Sequence, residues 1–372
     1  MNQTADIIVI GAGIIGAASA YRLAQHGLKV VVLDKDRPAS GSTGRSVAGV
    51  RAQFNNAGNI LLSRASIAEY AAMPQSGYRA EGYLMLISEA GWAEHREAVA
   101  LQQSLGIPSE ALTPDEAQQY ATFDTAGLGG CSFCPTDGKV DAHSLNHEYV
   151  RLAREAGARV VLDTPVTGIE RLGEVWQVQT PGGTFEAPQL LNAAGAWSGE
   201  IGKLAGLEIP VHPARRMVFS TGPLTLPRPV PMTFDLTSGV YLRSEGERLI
   251  FGRADPGDTG WREGLNWDWL EPTLTLALER WPWLSEASLD RKASWWGYYE
   301  LTPDGFPVVG RMPDADGWLN ACGFSGHGVM QAAATGRVMA QIAAGETPFI
   351  DVSPLGIERF AGTEVRRLDL QV

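Results

Sequence analysis

The residues whose types and spacing carry the clearest chemistry are Gly11, Gly13 and Gly16, arranged as Gly-x-Gly-x-x-Gly, with Asp34 further along. Glycine at the first position permits a tight turn. At the second it lets backbone approach a pyrophosphate, and at the third it lets a helix pack closely on a strand. Phosphate oxygens then rest on the unpaired N–H groups of a helix start, here at Ile14 and Ile15, where the helix dipole favours negative charge. Asp34, with Lys35 beside it, stands where an acid binds both ribose hydroxyls and disfavours a 2′-phosphate, so the pattern reads as a site for FAD or NAD rather than NADP. A second glycine-rich run, Gly323-Phe324-Ser325-Gly326-His327-Gly328, follows more than 300 residues later and precedes a helical stretch.

The elements that must position these residues are legible around them. Residues 6–10 form an apolar run suited to a strand buried on both faces, and residues 29–34 form another. Between them lies a helical segment with Gly27 just past its end. Strand, glycines, helix, strand and acid are thus in register as one βαβ unit. Next comes a small-residue loop, Ser42-Thr43-Gly44-Arg45-Ser46-Val47-Ala48-Gly49-Val50-Arg51, whose polar groups are bracketed by glycines and suit a bound anion. Residues 141–157 read as a helix capped by Asp141 and ended by Gly157. Short runs at 159–162, 166–169, 175–179 and 184–185, with turns at Gly173-Glu174 and Pro181-Gly182-Gly183, predict a small antiparallel meander. Residues 190–197 read as a buried strand running into a small-residue turn. Between 208 and 300 the character changes: prolines cluster at 223–231, and seven of the eleven tryptophans fall between 261 and 296. Trp267, Leu270, Leu274, Leu278 and Trp281 follow helical spacing and are read as core, while residues 240–242 and 248–253 read as strands of one sheet. A last helix is expected from about 329 to 344.

Composition bounds the rest. A chain of 372 residues calls for more than one structural unit, and 44% hydrophobic with 19% charged residues is ordinary for a globular protein. The net charge of −12 argues against nucleic-acid binding. There is no run of 18 apolar residues, hence no expected transmembrane segment, and the start shows no basic region followed by a cleavage site. The expectation is a cytoplasmic-type protein, compatible with peripheral membrane association. The odd set Cys131, Cys134 and Cys322 is read as reduced thiols, with the CxxC as two core thiols. His143 and His147 share a helix face without a third ligand nearby, so no metal site is expected.

Together these motifs resemble the FAD-dependent amino-acid and amine oxidoreductases: sarcosine oxidase, dimethylglycine dehydrogenase, glycine oxidase and D-amino-acid dehydrogenase. The resemblance covers nearly the whole chain. It is carried in order by residues 11–16, 42–51, 192–198, and 301–310 with 323–328. It implies an α/β fold: a Rossmann-type FAD-binding domain of the glutathione-reductase kind with a discontinuous, mixed-sheet α+β substrate domain. The implied FAD-binding domain comprises residues 1–76, 138–207 and 302–372, and the substrate domain residues 77–137 and 208–301. Cofactor contacts are implied for Gly11, Gly13, Ile14, Ile15, Gly16, Asp34, Lys35, Ser42, Thr43, Gly44, Arg45, Ser46 and Gly49. They extend to Val166 through its backbone, to Ala194, Gly195 and Trp197, and to Phe324, Gly326, His327, Gly328, Val329 and Met330 around the isoalloxazine.

Two departures from the sarcosine oxidases are informative. Their flavin-bonding cysteine falls at Gly297, with no cysteine on either side, which implies non-covalent FAD. Their oxygen-activating lysine falls at Met330, and a thioether does not stabilise superoxide as a fixed cation does. The implied enzyme is therefore a dehydrogenase rather than an oxidase, with Arg45 or His327 as alternative sources of charge. The implied reaction takes hydride from the carbon of a small amino acid or secondary amine (sarcosine, N-methyl or proline-like) to flavin N5, leaving an imine that water hydrolyses. Electrons pass on to oxygen, a quinone or a partner protein. Arg51 is the first expected carboxylate contact, with Tyr241 and Arg253 as further candidates. The histidine that sarcosine oxidases use nearby is Ala254 here. Alternatives are a D-amino-acid dehydrogenase, or the flavoprotein subunit of a heteromeric amine dehydrogenase complex.

Overall fold

The computed structural model describes residues 3–361. A six-stranded sheet lies at its centre, in the order Val308–Arg311, Trp318–Cys322, Gln189–Asn192, Ile7–Ile10, Val30–Leu33 and Arg159–Val161. All neighbours are parallel except the edge strand Val308–Arg311. Ile7–Ile10 and Val30–Leu33 are buried at every position, as their unbroken apolar runs require of strands covered on both faces.

One face carries the helices Ile14–Gln25, Ala142–Glu155 and Gly328–Ala343. The first and last cross closely because both are lined by alanine and glycine; a Cβ on Gly336 would lie 2.7 Å from the Ala18 carbonyl carbon. The second is capped by Asp141, whose side chain accepts the Ser144 N–H at 2.9 Å. The other face is covered by a four-stranded sheet of Gln3–Thr4, Gly183–Ala187, Val175–Thr180 and Gly168–Leu172, which packs Ile169, Trp176, Val178 and Phe185 inward.

The meander expected from the sequence is present, with one correction. Its strands begin at Gly168, and the run around Arg159–Val161 instead joins the parallel sheet beside Val30–Leu33. Three apolar or mixed residues do not distinguish a parallel edge strand from a hairpin strand; only the partner does.

A separate eight-stranded sheet runs in the order Trp295–Leu301, His212–Ser220, Arg248–Arg253, Val240–Glu245, Met232–Asp235, Tyr83–Ser88, Leu128–Cys134 and Glu110–Leu112. Its back is closed by the helix Leu270–Arg280, with Trp281 fully buried and Trp267 packed against the same core. Cys131 and Cys134 are buried in this sheet as free thiols, and Cys322 is buried in the parallel one. No helix among the described residues is long and apolar enough to cross a membrane.

The approach of the first and last helices depends on the missing side chain at Gly336. Gly336→Ala is expected to lower unfolding stability by about 1–3 kcal/mol through overpacking against Ala18, read as a lower urea midpoint with an unchanged slope.

Candidate active site

Parallel strands deliver their carboxyl ends to one edge, and ligands of open α/β sheets bind outside that edge. Here Gly11 follows Ile10, Asp34 follows Leu33, Ala193 follows Asn192, and Gly323 follows Cys322. Motifs hundreds of residues apart are thereby brought to one cavity of about 640 Å3 that runs from this edge to the eight-stranded sheet.

At the first end, Gly11 has φ of +107°, and a Cβ there would overlap the Ala193 carbonyl oxygen. Gly13, Ile14 and Ile15 line the wall at the start of the Ile14–Gln25 helix. The Ile14 N–H donates to Thr43 Oγ1 at 3.1 Å, which ties the small-residue loop to this helix start. Asp34 accepts the Ala12 N–H at 2.6 Å and the Asp36 N–H at 2.8 Å. Burial raises its pKa, and these two backbone hydrogen bonds pull against that rise. Lys35 Nζ lies 3.6 Å from the centre of the Trp197 ring. Ser42 Oγ is buried on the wall with no hydrogen-bond partner among the described residues.

The small-residue loop is also stitched to the other sheet. Arg45 stacks on Trp296 at 4.4 Å, and Trp295 Nε1 donates to the Arg45 carbonyl at 2.8 Å. Val166 lines the cavity near Asp34, whose carbonyl accepts the Thr164 N–H at 2.7 Å; Ser46, Gly49, Ala194, Gly195 and Gly297 add to the wall, with Gly326, Gly328, Val329 and Met330 at the start of the Gly328–Ala343 helix.

Several expected residues stand behind the wall instead. Gly16 packs on the Gly11 carbonyl, Gly44 on the Ala39 carbonyl, and Phe324 is fully buried. Arg51, expected to meet a substrate carboxylate, is only 3% exposed and does not line the cavity. Its Nη1 donates to the Gln53 carbonyl, and its Nη2 lies 3.3 Å from His327 Nε2. A guanidinium only donates, so Nε2 accepts and His327 is neutral with its proton on Nδ1. Burial, then the Arg51 charge, lowers the His327 pKa to about 3. His327 is therefore not a source of positive charge at neutral pH. Arg253 is also off the wall: its Nε donates to the Ser238 carbonyl at 3.0 Å and its guanidinium covers Trp269.

Tyr241 does line the cavity, where Tyr83, Phe234, Tyr299, Val218 and Arg216 form a chamber on the eight-stranded sheet. Sequence reading missed Arg216 and Tyr299. Both lie in strands whose alternation was readable only once their partners were known: Arg216 pairs with Gly297, and Tyr299 with Ala214. Glu300, also missed, is a buried carboxyl on the wall that accepts the Gly323 N–H at 2.9 Å, and burial raises its pKa to about 7.

The cradle fits a dinucleotide: its glycines leave room for pyrophosphate, its helix start supplies N–H groups, and Ser42 Oγ and Asp34 are in place for further hydrogen bonds. A family model described as FAD dependent oxidoreductase matches residues 6–342. The chain belongs to the FAD-dependent oxidoreductase family.

Several relatives of this FAD-dependent oxidoreductase are similar over nearly all of it. Human mitochondrial sarcosine dehydrogenase is 26% identical across 97% of the chain. The hydrogen cyanide synthase subunit HcnC of Pseudomonas aeruginosa is 28% identical across 97% of both chains. The chain spans less than half the length of human sarcosine and dimethylglycine dehydrogenases, at 42% and 44%. Among solved structures, L-proline dehydrogenase from P. horikoshii superposes with a TM-score of 0.90 at 29% identity, covering 98% of this chain and 100% of that one. Glycine oxidase from Geobacillus kaustophilus shares the fold, with a TM-score of 0.82 at 24% identity over 97% of this chain and 100% of that one.

Glu300→Gln tests the buried carboxyl. A folded pKa raised to about 7 means the fold binds the proton more tightly than the unfolded chain, so wild-type stability falls as pH rises from 4.5 through 7. The amide keeps an acceptor for Gly323 without the charge. The variant is expected to gain stability relative to wild type across that window and to hold the gain above it, measured by denaturant unfolding at several pH values.

Proposed function

We propose that the protein oxidises the C–N bond of a small amino acid or secondary amine, sarcosine-like, N-methyl or proline-like, by removing hydride from carbon and leaving an imine that water hydrolyses. The observation that carries this reading is the single cavity that joins the dinucleotide cradle to an aromatic chamber on the other sheet. Similarity to a proline dehydrogenase structure and to sarcosine and dimethylglycine dehydrogenases supports it.

Bound FAD supplies the hydride acceptor. Gly11, Gly13, Ile14, Ile15, Asp34, Ser42 and Thr43, which line one end of the cavity, would hold its dinucleotide half, and Gly326, Gly328, Val329 and Met330 would border its ring. The division into a cofactor unit of residues 1–76, 138–207 and 302–372 and a substrate unit from the two intervening segments belongs to this reading. The chain's own contribution is placement: Tyr83, Phe234 and Tyr299 line the chamber, where they would shield a small substrate from water and confine it beside the cofactor. The start of the Gly328–Ala343 helix lies on the cavity wall, where its positive end would favour negative charge on a bound ring.

Non-covalent FAD is part of the proposal. Gly297 stands where a bonding cysteine would, a Cβ there would lie 2.9 Å from Arg45 Cβ, and no cysteine of the described residues lines the cavity. A dehydrogenase is favoured over an oxidase. Met330 on the wall carries no charge, Arg45 is exposed and stacked on Trp296, and His327 is neutral. A second reading, a flavoprotein subunit acting with a partner protein, is favoured by the similarity to HcnC over 97% of both chains.

Anaerobic titration of the purified protein, after its visible spectrum is recorded, with sarcosine, L-proline and both enantiomers of several amino acids tests the reaction. Bleaching of the flavin band by one of them is expected; protein that binds no flavin, or flavin that no amine bleaches with or without partner, refutes it. Met330→Lys is expected to speed reoxidation by air about tenfold or more, with anaerobic reduction changed only a few-fold, as one fixed charge near the ring lowers that barrier by at least ~1.4 kcal/mol.

A further inference from the structure

On the reading that the cradle seats FAD, we propose that Trp261, carried on a strap of residues 255–264, closes an aromatic band along the cavity's outer edge and gates the passage of FAD in and out. Arg215 and Asp258 are the residues that position the strap.

The band has both feet on the cradle. Trp197, in the turn after the strand Gln189–Asn192, is the first foot, and Lys35 beside Asp34 rests on its ring. The Trp261 ring lies 4.9 Å from that of Trp197 and 5.1 Å from that of Tyr298. Tyr298 in turn lies 5.2 Å from Trp296, on which Arg45 of the small-residue loop stacks at 4.4 Å. The contacts thus run from one cradle segment to another by way of the eight-stranded sheet. Trp197, Tyr298, Trp296 and Arg45 line the cavity, while Trp261 is 44% exposed. The band therefore has the cavity on one side and water on the other.

The strap is mostly exposed, yet it is stapled down by charge. Asp258 is 1% exposed and accepts the Arg215 Nε at 2.8 Å. Arg215 Nη1 donates to the Glu263 and Gly264 carbonyls, each at 2.8 Å. Tyr298, paired with Arg215 across the two strands, donates its hydroxyl to the Arg262 carbonyl at 2.7 Å. Three consecutive carbonyls are held by one cross-strand pair, and the Gly260 N–H donates to the Pro213 carbonyl at 2.8 Å. A buried ion pair adds little net stability, but removing one partner leaves the other charge uncompensated, so the pair fixes one conformation of the strap. That conformation lays Trp261 on Trp197. Among the described residues no hydrogen bond or ion pair joins the strap to the cradle. The ring contact alone closes the band there, and an aromatic pair is weak enough to part without disturbing the sheet.

The test follows FAD itself rather than turnover. Holoprotein is held with excess unrelated apoflavoprotein, which captures released FAD, and the flavin remaining on it is read from its visible absorbance after separation at timed intervals. Uptake is followed by mixing apoprotein with FAD. Trp261→Ala is expected to speed both release and uptake about tenfold, the loss of two ring contacts, with the apoprotein's unfolding midpoint unchanged. Trp261→Phe is expected to recover part of the slow exchange. Asp258→Asn is expected to speed exchange as well, and its combination with Trp261→Ala to exchange no faster than the faster single variant, because both act through one closure. If Asp258→Asn does not fold, the two Trp261 variants carry the test. Unchanged exchange in Trp261→Ala overturns the gate. So does faster release with unchanged uptake, which would make Trp261 an ordinary cofactor contact. Gated exchange in a protein whose flavin no amine bleaches would uphold the gate while refuting amine oxidation.

Discussion

The close approach of Gly11 to Ala193 is the contact on which the rest of this protein depends. Two neighbouring parallel strands end side by side, and the chain leaving the first must turn beneath the chain leaving the second. Any side chain at Gly11 would overlap the Ala193 carbonyl, and the left-handed backbone there adds a second reason for glycine. Because the turn is tight, the Ile14–Gln25 helix starts directly at the sheet edge, and its free N–H groups face the cavity. Gly16 packing on the Gly11 carbonyl holds that helix down, and Gly336 lets the last helix lie against it. Cradle, sheet edge and helical layer are one packing solution.

Charge is distributed along the cavity by burial. The dinucleotide end is lined by exposed cations and by an acid held between two backbone N–H groups. Arg51 is buried behind His327, and its field, added to desolvation, holds that imidazole neutral. The far end concentrates one under-solvated guanidinium among phenols. Such a gradient fits a site that binds an anionic cofactor at one end and orients a small substrate at the other.

Much of this was legible in the chain. Apolar runs of four residues on either side of a glycine fingerprint are what two strands buried on both faces require, and the helix ended at Gly27 and the cap at Asp141 carry their own local physics. The resemblance to amine oxidoreductases implied cofactor contacts at Gly326, Gly328 and Met330 as well as at Gly11; the four line one cavity, although no local rule links them. What local reasoning mislaid were residues whose meaning depends on a partner strand. Residues 159–161 pair with Val30–Leu33 rather than with the meander that follows them. Arg51, promoted by its motif position, is covered by Phe54 and His327, while Arg216, with no motif around it, faces the chamber because its strand pairs in one register and not the next.

By itself the sequence determined a strand–turn–helix whose glycines and acid suit a dinucleotide, and that Gly297 and its neighbours would carry no cysteine. Those properties follow from spacing over short stretches, where backbone geometry leaves little choice. Only the tertiary structure decided which arginine faces the chamber on the eight-stranded sheet, that His327 is neutral, and that three tyrosines line that chamber, Tyr83 against Gly49, Tyr241 across Gly252 and Tyr299 against Gly326. Side-chain direction and solvation are set by strand register and by what packs on top, and both are relations between segments far apart in the chain.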